Sequence, residues 1–136
     1  MDSSLLYEAI ENEDYKSIKM EIDNGAIIDN KVLEDVIRIF ADIDILRLLV
    51  KFTNIHEISL TLLMCVNRHR YEDFIIVLVE AGGNIERVLD DKLDRQKVID
   101  TLLKNAIDYA LPLIVIQQLI KLGAVINQHS DRKSVV

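Results

Sequence analysis

Along this chain apolar residues recur at spacings of three and four, and the pattern stops repeatedly at a glycine followed by a short apolar step. Three stretches share the design: "IKMEIDNGAIID" from Ile18, "IIVLVEAGGNIE" from Ile75 and "LIKLGAVIN" from Leu119. Within them Ile18 and Ile22, Ile75 with Leu78 and Val79, and Ile116 with Leu119 and Ile120 fall on one face of a helix. Each helix is predicted to end at Gly25, Gly82 or Gly123, because a residue just past a helix C-terminus turns left-handed and glycine does so without a Cβ penalty. A weaker copy, "ILRLLVKFTNIHE" from Ile45, puts Thr53 at the glycine position and aligns Asn54-Ile55 with Asn84-Ile85. The cap is therefore expected at 25, 53, 82 and 123, and the glycine after Gly82, Gly83, is expected to tolerate alanine.

Cap spacings of 28, 29 and 41 residues fall in the range of solenoid units, which bury their faces only by stacking. Upstream of each cap lies a second helical run: Leu5 to Ile10, Val32 to Ile39, Leu62 to Val66 and Leu102 to Ile107. The expected unit is helix, short turn, helix, cap and connection, which makes the chain all-α. Four units, 3–31, 32–58, 59–87 and 99–128, compose one domain over 1–130 with a tail at 129–136. Between the last two, residues 87–98 are charge-rich, yet Val88, Leu89, Leu93 and Val98 keep partial helical spacing, which predicts a partly helical insertion.

The unit resembles the ankyrin repeat, whose consensus runs roughly T-P-L-H-x-A-A-x-x-G-H-x-x-V-V-x-L-L-L-x-x-G-A-D-V-N. In the first unit Ser4-Leu5-Leu6-Tyr7 stands for the opening turn, Ala9-Ile10 for the small pair, Met20 to Ile22 for the triple leucine, and Asp23 to Asp29 for the ending. Thr61 to Met64 with Val77 to Glu86 carry the third unit, and Leu119 to Asn127 the end of the fourth, so the likeness spans about 3–128. The opening Pro and His are missing throughout, and the middle Gly-His step is absent or replaced. The proline would preset the first helical turn, so a stack without these residues is expected to rely more on aliphatic packing and to have short or irregular hairpin loops. The isoleucine-rich, proline-poor style is similar to ankyrin proteins of large DNA viruses, notably poxviruses, which engage host signalling or ubiquitin-ligase components. The chain stops directly after its fourth unit, so the expectation is simple binding of a host factor without ligase recruitment.

Composition sharpens this picture. With 20 isoleucines and 18 leucines against three Phe, four Tyr and no Trp, the core has to be aliphatic. A net charge of −7 argues against nucleic acid as the main partner, since phosphate binding needs a concentrated basic face. No run is long and apolar enough for a membrane helix, the N-terminus lacks a signal-peptide pattern, and the single Cys65 agrees with a reducing intracellular setting in cytoplasm or nucleus.

Catalytic candidates are sparse. Cys65 and His69 stand four apart on a predicted helix, but His56 and His129 supply neither a third catalytic group nor a zinc set, so Cys65 reads as a buried, inert thiol. Glu11, Glu13 and Asp14, and Asp90, Asp91 and Asp94, lack the glycine and spacing of a calcium loop. No phosphate-cradling or dinucleotide motif is present. Arg68-His69-Arg70 offers a basic spot for an acidic partner, and Lys133 to Val136 resembles a PDZ-binding end, though a frayed tail is the plainer reading.

The expectation is a non-enzymatic module with no catalytic residues, metal or cofactor, which binds another protein and neither nucleic acid nor membrane. The ankyrin resemblance implies contacts at hairpin tips and inner-helix ends. These map to Asp29, Asn30 and Lys31, to His56 and Glu57, to Glu86 and Arg87, and to the inter-helix turns around Asp14, Asp42 and Arg70. A self-assembling homo-oligomeric subunit is the alternative, motivated by terminal units whose outer faces are not obviously polar.

Overall fold

A computed structural model of the chain describes residues 4–69, 71–89 and 94–125. Among the described residues there are eight α-helices and no strand. They come in pairs: α1 (Ser4–Glu11) with α2 (Tyr15–Asp23), α3 (Asn30–Arg38) with α4 (Ile43–Val50), α5 (Ile55–Met64) with α6 (Glu72–Glu80), and α7 (Arg95–Asp108) with α8 (Leu113–Lys121). Partners pack on each other, α3 packs on both α1 and α5, and α4 packs on α6. A π-helical turn over Cys65–His69 prolongs α5 and carries the contact with α7. None of these helices is long and apolar enough to cross a membrane.

One aliphatic cluster runs through the pairs, from Leu6, Ile10 and Ile18 through Leu33, Ile45 and Leu49 to Ile58, Leu78, Leu103 and Leu119. The helical periodicity brings these residues inward, and their burial away from water is the main stabilising force. Helix starts are fixed by short polar side chains. Asp14, Asp29, Asp42, Asn54 and Asn84 each accept a hydrogen bond from a backbone amide two or three residues on, satisfying donors that have no partner within the helix.

The ends of α2, α6 and α8 follow one main-chain scheme. At the end of α2 the Gly25 amide donates to Ile22 O and the Ala26 amide to Glu21 O; Gly82 and Gly83, and Gly123 and Ala124, repeat it after α6 and α8. This paired reach to carbonyls three and five residues back needs a left-handed residue at its apex, and Gly25, Gly82 and Gly123 have φ of 95°, 100° and 98°. The turns inside the first, second and fourth pairs are built identically: Glu13 and Asp14, Phe40 and Ala41, and Ala110 and Leu111 make the same two bonds. Their apices Glu13, Phe40 and Ala110 have φ of 51°, 55° and 51° although none is glycine. The missing middle glycine has therefore not abolished the turn.

Two expectations need correction. Thr53 takes no left-handed conformation; its amide donates to Val50 O and its hydroxyl to Leu49 O at 2.7 Å, so α4 ends in a tightened turn with a side-chain cap. Gly83 has no room for alanine, because a Cβ there would lie 2.8 Å from the carbonyl oxygen of Leu78 and 3.2 Å from Ile58 Cγ2. Polar bonds within and between the pairs accompany this aliphatic packing. Glu13 accepts from the Asp42 amide, Glu57 from Asn30, Ser59 from Asn84 and Asp100 from Val125, while Gln118 bridges Gly83 O and the Ile85 amide. Of the segment 87–98, Arg87 and Val88 belong to a 3-10 turn (Ile85–Val88) and its last four residues open α7; residues 90–93 lie outside the described part.

Candidate functional site: an aromatic groove at the helix turns

Glu13 lies in the α1–α2 turn, residues 40–42 lie in the α3–α4 turn, and Tyr71 immediately precedes α6. The elements meet at one edge of the helix pairs, where they form an open groove of about 630 Å³, within the size range of ligand-binding clefts. Its floor is aromatic. Phe40 meets Tyr71 edge to face with ring centroids 5.0 Å apart and Phe74 with 5.6 Å, while Tyr71 and Phe74 are 5.9 Å apart. Phe74 is anchored at 3% exposure, whereas Tyr71 is 38% and Phe40 66% exposed.

Two of these rings occupy positions that local physics disfavours. Phe40 is a bulky side chain at positive φ, an arrangement that costs roughly 1–2 kcal/mol. Tyr71 is the N-cap of α6 and makes no side-chain cap bond, where Asp or Asn typically adds about 1 kcal/mol. Both departures fall in one exposed cluster, and a local conflict with folding preference is a ground for proposing a functional surface there.

The rim is acidic. Glu13, Asp42, Glu72 and Asp73 line the groove, and none of the described residues that line it is basic. Glu13 Oε2 accepts from the Asp42 amide at 3.2 Å and Asp42 Oδ1 from the Asp44 amide at 3.0 Å, which fixes two of these side chains. At the end nearest α2 the Tyr15 hydroxyl is held above its ordinary pKa, first by desolvation and then by the carboxylates of Asp42, to which it hydrogen-bonds, Asp44 and Glu13. No group of three His, Cys, Asp or Glu side chains among the described residues converges to hold a metal ion.

The ten residues expected at contacts separate into two places. Asp42 lines the groove, Asp14 sits beside Glu13, and Arg70 precedes Tyr71 but lies outside the described residues, as do the His69 side chain, His129 and the C-terminal end. The other seven lie at the opposite edge, after the second helix of each pair. There Asp29 caps α3 through the Val32 amide, and Glu57 accepts from the Asn30 amide at 3.0 Å. Lys31 borders a shallow, mixed-charge hollow with Tyr7 and Glu34, and His56, Glu86 and Arg87 are exposed. Phe40, Tyr71, Glu72, Asp73 and Phe74 escaped the sequence reading, and Glu13 entered it only as a carboxylate without a calcium-loop spacing.

Cys65 is fully buried, and its thiol is pushed up to about 12, first by desolvation and then by the carboxylate of Glu34. A thiol so placed stays protonated at neutral pH and is a poor nucleophile. Comparison of the chain with protein-family models, curated proteins and solved structures gave no match.

Proposed function

We propose that the chain is an ankyrin-like stack of four helix pairs that binds another protein without catalysis, through the aromatic groove at its helix turns. The observation that carries this reading is the coincidence of Phe40 and Tyr71, each disfavoured locally, in one exposed cluster with Phe74. Aromatic anchors fixed by a rigid frame suit protein recognition, because little side-chain entropy is lost on binding. The repeated turn scheme and the 28- and 29-residue spacing support the ankyrin-like arrangement. Buried Cys65 supports a reducing intracellular setting, and the resemblance to poxvirus ankyrin proteins supports a host factor as partner.

The test restores both local preferences at once. A Phe40→Gly, Tyr71→Asn variant gains a glycine apex and a polar cap, so its melting temperature should equal or exceed that of the wild type. Affinity capture from cell lysate should then lose the wild-type partner. Recovery of the same proteins by both forms would remove the groove from consideration.

Self-association is favoured by a different observation. The last pair leaves Leu113 67% and Ile120 56% exposed, and the first leaves Leu5 58% and Met20 54% exposed; apolar ends of this kind can stack head to tail. Light scattering decides: a strict monomer over a wide concentration range sinks this reading.

A further inference from the structure

We infer that the groove takes an arginine-bearing basic segment of the partner, its guanidinium seated on Phe40 and Tyr71 and enclosed by the carboxylates of Glu13, Asp42, Glu72 and Asp73. This rests on the docking reading above and adds the chemistry of the occupant. A cation is held by an aromatic face within about 6 Å of the ring centroid. With the two centroids 5.0 Å apart and the planes 69° from parallel, one flat cation reaches both rings. Phe40 is 66% exposed, so its ring offers the larger part of that contact surface.

Charge selects among occupants. An acidic segment would meet four carboxylates at close range, and a purely apolar one would cover them without neutralising any. A metal ion is excluded because the carboxylates line a groove and do not converge. Arginine is favoured over lysine since its planar, weakly hydrated head stacks on rings while its fork of donors matches carboxylate oxygens. The chain's net charge of −7 would steer such a segment inward over longer distances.

The probes are nine-residue peptides carrying arginine in a neutral Gly/Ala/Leu background, with counterparts in which citrulline or glutamate replaces arginine. Amide chemical shifts of the ¹⁵N-labelled chain report where they bind. The arginine peptide should move the resonances of residues 40–43 and 71–74, the citrulline peptide should bind about tenfold more weakly, and the glutamate peptide should not bind. A Glu13→Gln, Asp42→Asn, Glu72→Gln, Asp73→Asn variant keeps the oxygen acceptors of both fixed carboxylates and should lose about tenfold in arginine-peptide affinity. If that variant unfolds, raising salt from about 0.05 to about 0.5 M with the wild type puts the same question, and affinity should fall several-fold.

Equal binding of arginine and citrulline peptides, salt-independent affinity, or no shift at the groove overturns the inference. If the peptides fail while the Phe40→Gly, Tyr71→Asn variant still loses the cellular partner, the docking surface stands and only its cationic occupant falls. If that variant keeps the partner, the docking reading itself fails.

Discussion

Replacing Gly83 by alanine tests the packing of the third helix pair most directly. The added Cβ would sit 2.8 Å from Leu78 O, 3.2 Å from Ile58 Cγ2 and 3.4 Å from Leu62 Cδ2. The first neighbour is backbone and cannot swing away, and the Gly83 amide already donates to that same oxygen at 2.9 Å. Moving Gly83 outward instead would strain the bond from Gln118 Nε2 to its carbonyl and the adjacent Asn84–Ser59 bond. Such overpacking costs roughly 1–3 kcal/mol. Stiffening the unfolded chain returns about 0.4–1 kcal/mol, so a net loss of about 1–2 kcal/mol is expected. For a chain of 136 residues this lowers the melting temperature by about 5 °C. In urea the midpoint should fall with an unchanged slope, read by far-UV circular dichroism. Gly123→Ala is the control: nothing lies within 4 Å of its Cβ, so only its φ of 98° contributes, at about 1 kcal/mol. Its cost should be insensitive to neighbouring side chains, whereas trimming Ile58 should soften that of Gly83→Ala. A Gly83→Ala protein as stable as the wild type would refute the reasoning.

Four further outcomes are expected. Ala110→Gly removes the cost of a Cβ at φ 51° and should raise stability by about 0.5 kcal/mol after the extra chain entropy of glycine; a lower urea midpoint would show that the apex is unstrained. Ser59→Ala leaves the Asn84 amide without its acceptor and should cost about 1–2 kcal/mol, whereas Ser59→Thr should retain most of the bond, both read by urea denaturation. Cys65 should resist thiol reagents at neutral pH until the chain is denatured. Because its folded pKa, about 12, exceeds the unfolded value of about 8.5, its contribution to stability is full below the latter and is lost as pH rises through the former; Cys65→Ala should flatten that alkaline limb. Asp14 is held below its ordinary pKa of 3.8, first by the side-chain bond to the Ser17 hydroxyl and then by the Ser17 amide. Its contribution is present above that range and fades as pH falls through the folded value, so Asp14→Asn should flatten the acid limb of a stability–pH profile.

The helices and glycine apices were legible because their signals are local: apolar spacing along one face, and a residue without Cβ where φ is positive. Thr53 misled because register was taken for conformation; its hydroxyl does by side chain what glycine does by backbone. The inner apices at Glu13, Phe40 and Ala110 were hidden because the turn is held by carbonyls three and five residues back, which leaves the apex residue uninformative. Gly83 looked replaceable because Ala26 and Ala124 fill the matching positions, but at Gly83 Leu78 O, Ile58 and Leu62 all crowd the place of a Cβ. The groove was not legible at all: Phe40 and Phe74 are 34 residues apart, and the packing of α4 on α6 brings their turns together. Asp42 was picked out for its place in a turn, but nothing in its neighbourhood announced the rings beside it.

The inner apices have an evolutionary consequence. Since the main chain alone closes those turns, the residue at each apex is released from folding duty at a cost of about 1–2 kcal/mol, a modest fraction of the 5–15 kcal/mol of a typical domain. Glutamate, phenylalanine and alanine already occupy three of them. Such a frame can exchange one displayed side chain at a time while its register stays fixed, so a change of partner requires neither an insertion nor a new loop.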